Sequence, residues 1–488
     1  MYDNHKSAGS GNAIYNNVSY NDDSPITAFA TIPGSSALTL IRCSGKGAIE
    51  ATASVFAPEK IKNASGNTVI HGWIVKANEK IDEVLVSVFR APKSYTGEDS
   101  LDICCHGGPC AGKAVIDTLK SAGFRDALPG EFTFRAFVNG KLDLTKAESV
   151  MELVSAKTET GRRHAVSRLS GSLQTEIEEI KKLLVQVLSG AEIYLDYSED
   201  EIGADADEDA GKLPYQNIAL EALSRLKKLS ASWRIERIYQ EGVTVVIAGR
   251  PNAGKSSLFN ALLKEDRSIV TEIPGTTRDW IEAWVSIDGI PIRLVDTAGL
   301  RESAESVEKI GVDRSRKLLR EADIVLYLID GAQGITGEDK DFIDGGAAGN
   351  GAVNNGAVNS GRLLVWNKAD IAPSSNKSFI SVSAKTGEGL AQIYTAISSA
   401  IQEQAAAQQT ALQDTPTTAA VGTERQKKLV DAACAALEEA LALAQREEPL
   451  DLIAPLLREA VNSLGEITGE VSTADILEEM FSRFCVGK

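Results

Sequence analysis

The sequence predicts a combined α/β and all-α fold. It consists of a mixed α/β N-terminal domain, a helical bundle built from two separate stretches, and an α/β domain inserted between them. The 488 residues are too many for a single hydrophobic core. Apolar residues recur with a helical period on both sides of residues 242–402, whereas buried-type strands alternate with helical stretches inside that range. An inserted domain would produce this interruption.

The first 141 residues divide into a polar leader and a domain. Residues 1–23 are polar and contain no apolar core of a secretory signal, so we expect a disordered leader. Across residues 24–141, short apolar runs such as ALTLI and EVLVSVF alternate with the turn sequences IPGSS, HGGP and LPGE. That alternation predicts a mixed α/β domain.

Residues 142–241 and 419–488 show helical periodicity, and we expect these two segments to form one discontinuous helical domain. In the first segment an apolar stripe with the helical period comprises Leu169, Leu173, Ile177, Ile180 and Leu184. The acidic run DYSEDEIGADADEDA follows it and is expected to be a solvated loop. In the second segment another amphipathic stretch begins with Leu429, Ala433 and Leu437.

Residues 242–402 contain four runs typical of buried strands, namely VTVVIAG, IRLVDTAG, DIVLYLID and RLLVWNK. Such runs separated by helical stretches predict a parallel sheet with helices on both faces. The low-complexity segment from Gly345 to Gly361 has too few apolar side chains to order itself, so we expect a flexible surface loop. A linker rich in Gln, Ala and Thr is expected over residues 403–418.

Composition narrows the class of protein. Hydrophobic residues make up 43% and charged residues 24%, as in soluble globular proteins. Apolar runs stay shorter than the roughly 18 residues that cross a bilayer, so we expect no membrane partner. The net charge of −17 repels nucleic acid, so an RNA contact needs a local basic patch or a basic partner. Six scattered cysteines fit a reducing cytoplasm, and CCHGGPC lacks the second ligand pair of a zinc site.

A phosphate-binding motif follows the first of the four strands. GRPNAGKSS, from Gly249 to Ser257, matches G-x-x-x-x-G-K-S/T between VTVVIAG and the helical LFNALL. In that context backbone N–H groups surround the phosphates, Lys255 neutralises them and Ser256 binds Mg²⁺. A plain glycine turn is the alternative, and two further motifs in the expected order exclude it.

The second motif is DTAG, in which Asp296 can hold the shell of the Mg²⁺ ion and Gly299 can offer its N–H to the γ-phosphate. The third is NKAD, whose Asp370 can accept two hydrogen bonds from guanine. Adenine lacks that pair of donors, so the nucleotide is predicted to be GTP. SAK, from Ser383 to Lys385, supplies a backbone contact to the guanine oxygen.

The predicted GTP-binding set comes from these motifs and the loop TEIPGTTRD. It comprises Asn252, Ala253, Gly254, Lys255, Ser256, Ser257, Thr271, Glu272, Ile273, Pro274, Gly275, Thr276, Thr277, Asp296, Thr297, Ala298, Gly299, Asn367, Lys368, Ala369, Asp370, Ser383, Ala384 and Lys385. Thr277 is predicted to be the second hydroxyl on Mg²⁺, and its release after hydrolysis would free the loop.

Leu300 stands where many nucleotide hydrolases place a water-orienting glutamine, and leucine has no hydrogen-bonding group. A monovalent cation held by Asn252 and by carbonyls of residues 271–276 can take the place of an arginine finger. Asn252 has an alternative role in turn geometry. Composition does not choose among Glu302, Glu305 and Glu308 for the water-positioning role.

PGEFTFRAFVNGKLDLTKAESV (residues 129–150), YTGED, HGGP, IPGTTRD and the terminal FCVGK all occur along the chain. In these motifs and their order the sequence resembles the MnmE (TrmE) family of tRNA modification GTPases, over about residues 26–488. The resemblance implies an N-terminal tetrahydrofolate-binding domain that dimerises, a discontinuous helical domain, and an inserted Ras-like G domain.

The resemblance also implies roles for single residues. K⁺ would be held by Asn252, Thr271, Ile273 and Thr276, and Glu308 would orient the water indirectly. Folate-contacting positions would be Arg42, Asp102, Lys141 and Lys488, and Cys485 would act in the modification. Two departures concern the folate site: Ser35 and Ser36 follow Pro33-Gly34 where the family has Arg-Gly, and Asp102 replaces a glutamate.

The implied function is a potassium-stimulated GTPase whose homodimer works in the cytoplasm with an MnmG (GidA)-type flavoprotein, as a heterotetramer acting on tRNA. GTP hydrolysis would drive G-domain dimerisation and a conformational change. The complex would form the 5-carboxymethylaminomethyl or another aminomethyl-type group on the wobble uridine. The carbon would come from a tetrahydrofolate derivative in its 5-formyl or methylene form.

Two other classes of function compete with this one. A ribosome-assembly switch of the Era or Der kind would carry a basic RNA-binding domain after the G domain, whereas this C-terminal stretch is helical with mixed charge. A purely regulatory scaffold conflicts with intact Lys255, Ser256, Thr277 and Asp296. For Cys485, a prenylation box fails because Gly487 is not aliphatic, and a buried inert thiol is the alternative.

Overall fold

The computed structural model describes most of the chain. The described residues are 20, 22–32, 34–196, 213, 215–264, 268–269, 281–297, 317–343, 361–374, 376–406, 419–471 and 474–487. Nearly all of the leader, most of the acidic run, the low-complexity segment up to residue 360 and most of the linker therefore lie outside the described residues. The chain divides into two compact units, residues 1–151 with 461–488 and residues 152–460.

The strands form two sheets. The first unit contains β1 (Ile26–Phe29), β2 (Leu38–Ser44), β3 (Phe56–Ala57), β4 (Thr68–Lys76), β5 (Glu79–Phe89), β6 (Ser100–His106) and β7 (Arg125–Asp126). The second contains β8 (Val243–Gly249), β9 (Ser268–Ile269), β10 (Ile281–Ile287), β11 (Ile290–Asp296), β12 (Ile324–Asp330), β13 (Gly361–Asn367) and β14 (Ile380–Ser381).

The helices with assigned bounds are numbered in chain order. They are α1 (Ala48–Ala53), α2 (Pro109–Ser121), α3 (Glu131–Val138), α4 (Leu144–Ser155), α5 (Glu159–Leu169), α6 (Ser172–Asp196), α7 (Gln216–Glu241), α8 (Lys255–Lys264), α9 (Gly337–Ile343), α10 (Leu390–Ala406), α11 (Glu424–Gln445), α12 (Leu450–Thr468) and α13 (Ala474–Ser482). A 3-10 helix spans Glu59–Asn63. Within the described ranges, no helix is long and apolar enough to cross a membrane.

The first sheet has the strand order β3-β4-β5-β6-β2-β1-β7 and is antiparallel apart from the pairing of β1 with β7. Ile41 and Ile103 point from β2 and β6 into a core that includes Val115 and Leu119 of α2. Side chains alternate along a strand, so the neighbouring residues Arg42 and Asp102 lie on the opposite face. The predicted mixed α/β domain is confirmed.

The second sheet has the order β14-β13-β12-β8-β11-β10-β9. Its strands from β14 to β11 are parallel, as the four buried runs predict. The antiparallel hairpin of β10 and β11 was not predicted from the sequence. The sequence signal for this hairpin is the two-residue turn Asp288-Gly289. The φ angles of these residues are +50° and +80°, and Asp-Gly is favoured in a hairpin turn because both positions need a positive φ.

The helical stretches confirm the predicted all-α part, with one difference. Leu173, Ile177, Ile180 and Leu184 are fully buried along α6. Leu169, by contrast, ends the preceding helix, because Gly171 with φ +98° turns the chain before α6 begins.

Candidate functional site

A glycine-rich loop follows the central strand β8 at the carboxyl edge of the parallel sheet. The loop spans residues 249–254 and leads into α8, so its N–H groups and the helix start lie at one edge, an arrangement suited to phosphate. Three of its residues have positive φ angles: Gly249 at +139°, Asn252 at +65° and Gly254 at +95°.

Asn367 ties this loop to the opposite side of the edge. Its Nδ2 donates to the carbonyl of Ala253 at 2.8 Å, and its Oδ1 accepts from the N–H of Ala384 at 3.1 Å. A Cβ on Gly254 would lie 2.2 Å from the same Nδ2, so only glycine fits there. One buried amide therefore sets the spacing between the phosphate-binding loop and the SAK segment.

Lys255 and Ser256 begin α8, and their side chains contact different groups. Lys255 Nζ donates to the carbonyls of Gly249 at 3.1 Å and Arg250 at 2.8 Å, which places its positive charge across the loop. Ser256 Oγ donates to Oδ2 of the fully buried Asp296 at 2.7 Å. Hydroxyl and carboxylate oxygens are the ligands that Mg²⁺ prefers, so these residues fit such an ion.

The NKAD motif, which is predicted to bind the base, begins at Asn367, the last residue of β13. Lys368 has φ +64°, and its Nζ donates to Asp330 Oδ2 at 2.7 Å. Asp330 is buried at the end of β12, and it was not among the predicted site residues, although DIVLYLID places an aspartate at that strand end. Asp370 is exposed, and Ser383 is buried with its Oγ accepting from the N–H of Thr386 at 3.2 Å.

The switch residues are a different case. Thr297 is described, and its Oγ1 donates to the carbonyl of Ile247 at 2.9 Å. The predicted residues Thr271, Glu272, Ile273, Pro274, Gly275, Thr276, Thr277, Ala298, Gly299, Leu300, Glu302, Glu305 and Glu308 lie outside the described residues. Among the predicted potassium ligands only Asn252 is described, and its positive φ suits a turn residue as well as a cation ligand.

A second candidate site is a cavity of about 210 Å³ in the first unit. Its lining consists of Arg42, Ser44, Phe89, Tyr95, Thr96, Ser100, Asp102 and Phe132. Arg42 Nε lies 3.0 Å from Asp102 Oδ1, and its guanidinium carbon lies 5.6 Å from the centre of the Tyr95 ring. Burial raises the pKa of the Tyr95 hydroxyl. A charged pair beside aromatic rings suits a planar polar ligand.

The other predicted folate contacts are placed differently. Lys141 does not line the cavity; its Nζ donates at 3.0 Å to the carbonyl of Pro92, on the loop that carries Tyr95 and Thr96. Lys488 lies outside the described residues.

A buried ion-pair network supports the cavity wall, and motif spacing alone does not reveal it. Ser44 Oγ donates to Glu98 Oε2 at 2.8 Å and lies 2.6 Å from Thr96 Oγ1. Arg135 donates to Glu98 at 3.2 Å and to Glu131 at 2.9 Å. Glu98 and Arg135 belong to the YTGED and PGEFTFRAF motifs, so the two motifs meet behind the cavity.

Cys485 is exposed, so the alternative of a buried inert thiol is wrong. Its carbonyl accepts from the N–H of Gly130 at 3.3 Å.

Comparisons with known proteins agree with this arrangement. Residues 25–141 match the model of the GTP-binding protein TrmE N-terminus, and residues 144–485 match that of the MnmE helical domain. The chain belongs to the MnmE family. A tRNA modification GTPase MnmE of Treponema denticola is 41% identical over 96% of this chain and 99% of its own. That of Carboxydothermus hydrogenoformans is 40% identical over 95% and 99%.

The G domain of the FeoB iron transporter of T. maritima aligns at 26% identity with 32% of this chain and 98% of its own, and the TM-score is 0.24. Membership of the MnmE family rests on the two family models and the full-length relatives. As a member of this family, the protein is a GTPase.

Proposed function

We propose that this protein is a potassium-stimulated GTPase that works with an MnmG-type flavoprotein to modify the wobble uridine of certain tRNAs. The observation that carries the proposal is that one chain holds both the loop of Lys255 and the cavity of Arg42 and Asp102. A nucleotide site alone would suit many switches. A separate ligand cavity in a member of a tRNA modification family favours an enzyme that also handles a carbon donor.

The potassium part of the proposal rests on what Leu300 lacks. This side chain has no group to orient water, and the loop beside Lys255 contains the carboxamide of Asn252. We assign Asn252, Thr271, Ile273 and Thr276 as K⁺ ligands and Glu308 as the residue that orients water indirectly. A bound K⁺ would supply the positive charge that an arginine finger supplies elsewhere. Ser256 and Thr277 are assigned to Mg²⁺.

The folate part rests on the cavity. Its 210 Å³ is less than the roughly 300–1,000 Å³ of typical small-molecule sites, so a single chain would enclose the ring system rather than a whole tetrahydrofolate. Arg42 and Asp102 offer a donor and an acceptor to the ring edge, with Tyr95 beside them. We assign Lys141 and Lys488 as contacts to the rest of the 5-formyl or methylene tetrahydrofolate.

The partners follow from the same proposal. A homodimer would supply the second wall of the folate site and pair the G domains during hydrolysis, and two flavoprotein subunits would complete a cytoplasmic heterotetramer. The net charge of −17 opposes tRNA binding at long range. A basic surface on the flavoprotein, or a local basic patch here, would then hold the tRNA.

Analysis of modified nucleosides tests this function. In cells that lack the gene, tRNA should lose the 5-aminomethyl-type wobble uridines, and the wild-type gene should restore them. The Asp296→Asn variant should fail to restore them, because it weakens the magnesium shell. Unchanged wobble uridines in the deletion strain, together with accumulating ribosome precursors, would instead support an assembly switch.

A further inference from the structure

The C-terminal tail, residues 481–487, packs on two elements next to the cavity of Arg42 and Asp102. The N–H of Gly130, which caps α3, donates to the carbonyl of Cys485. Phe132, two residues further along, lines the cavity. On the other side, Gly487 lies against Phe29 at the end of β1, and the preceding strand residue, Ala28, pairs with Arg42.

The approach of the tail requires glycine at both contacts. Gly130 has φ +66°, and a Cβ there would lie 2.7 Å from the carbonyl oxygen of Phe481 and 2.8 Å from Cβ of Phe484. Gly487 has φ +92°, and its Cβ would lie 2.2 Å from the carbonyl oxygen of Phe29. Real Cβ atoms do not approach backbone so closely, so a side chain at either position must displace the tail.

Aromatic packing fixes the start of the tail. The ring of Phe481 lies 5.4 Å from that of Phe134 on α3, nearly perpendicular to it, and 5.1 Å from the ring of Phe484. Phe481 is fully buried and Phe484 is 8% exposed. Anchored by these rings before Cys485 and by Gly487 after it, the cysteine has a fixed backbone while its side chain stays exposed.

We propose that Gly130 and Gly487 are positioning residues that hold Cys485 against α3 and β1, next to the cavity. They contribute no group to the reaction; they permit a close backbone approach that a side chain would prevent. The contacts above support the docking. The use of the docked cysteine in tRNA modification rests on the proposed function, together with the role of Cys485 that the family resemblance implies.

The test compares Gly130→Ala and Gly487→Ala with Gly140→Ala. Gly140 is a matched control because its φ is +67° and a Cβ there would meet nothing within 4 Å. In the full-length protein, carboxypeptidase should release the C-terminal residues about tenfold faster from both test variants than from the wild type or the control. The wobble-uridine modification should fall in both test variants while GTP turnover and the melting temperature of Gly487→Ala stay unchanged.

Equal release rates in all four proteins would overturn the docking. The Gly487→Ala variant keeps the test valid if Gly130→Ala does not fold, because only the chain end changes. A Cys485→Ser variant separates the two ideas. If it modifies tRNA normally, the proposed role of Cys485 fails. If it is inactive while Gly487→Ala is fully active despite a released tail, the positioning inference fails.

Discussion

At the scale of single residues, the predicted nucleotide site at the carboxyl edge of the second sheet depends on Asn367. Its amide satisfies one backbone carbonyl in the phosphate-binding loop and one backbone N–H in the SAK segment, 2.8 and 3.1 Å away. Both partners are backbone groups, so this one amide fixes the spacing of the two loops. Gly254 completes this contact because it leaves room for the amide.

Substituting Gly254 tests that contact. Gly254→Ala adds a Cβ 2.2 Å from Asn367 Nδ2 at φ +95°, so the loop must open. GTP affinity should fall by about a hundredfold or more, a loss on the order of 3 kcal/mol. Gly334→Ala is the control, since its φ is +74° and the space around it is empty. Titration with a fluorescent GTP analogue measures both, and equal affinities would refute the contact.

The exposed carboxylate of Asp370 carries the assignment of guanine. Asp370→Asn replaces one acceptor oxygen with a donor, which suits the carbonyl at carbon 2 of xanthine. We therefore expect the nucleotide preference to move from GTP toward XTP by roughly two orders of magnitude. Competition binding with both nucleotides measures the change. An unaltered preference would remove Asp370 from the base site.

At the scale of elements, patterns of burial were predictable and long-range partners were not. The runs VTVVIAG and DIVLYLID became β8 and β12 because continuous apolar sequence suits a strand covered on both faces. β10, IEAWVSI, was missed because its alternating pattern belongs to the antiparallel edge of a sheet that otherwise looks parallel. The helical stripe ran on to Leu169 in the sequence because periodicity alone does not show the turn at Gly171.

The candidate sites show the same division. Motif spacing located Lys255, Asn367 and Ser383 at one edge, because strands of known direction end there. Motif spacing did not predict the partner of Lys368, since Asp330 lies 38 positions away along the chain. Motif spacing also did not predict that Arg135 contacts Glu98, 37 positions away. Such a pairing depends on the tertiary fold and cannot be seen in the local sequence.

A buried ion-pair network connects three helical segments within residues 152–460. Arg168 on α5 is 2% exposed; its Nε donates to Glu152 at 2.7 Å and its Nη1 to Glu236 at 2.6 Å. His164 adds a contact to Glu236 at 2.9 Å. Two carboxylates on different helices thus share one guanidinium.

Arg168→Met should remove the guanidinium that the two buried carboxylates share and lower the free energy of unfolding by about 3–5 kcal/mol. Urea unfolding followed by circular dichroism measures this. Arg162→Met on the same helix removes an exposed pair with Glu159 and should change stability little. Similar stabilities for the two variants would show that the buried network contributes nothing beyond an exposed pair.

At the scale of the whole molecule, the predicted nucleotide site lies in the second unit and the ligand cavity lies in the first. Family membership establishes the GTPase, while the cation that assists it is our proposal. Asn252 fits both a turn residue and a cation ligand, because its φ of +65° suits a turn and its carboxamide oxygen can bind a cation. A variant that separates these roles decides the question.

Glycine keeps a positive φ without strain and has no carboxamide, so Asn252→Gly preserves the turn and removes the cation ligand. The decisive measurement is GTP turnover of the wild type and of Asn252→Gly in potassium and in sodium buffers. We expect wild-type turnover at least about tenfold faster in potassium, and an Asn252→Gly variant that binds GTP normally but loses this difference. Equal wild-type rates in the two buffers, or full potassium stimulation of Asn252→Gly, would contradict the proposed role of the cation.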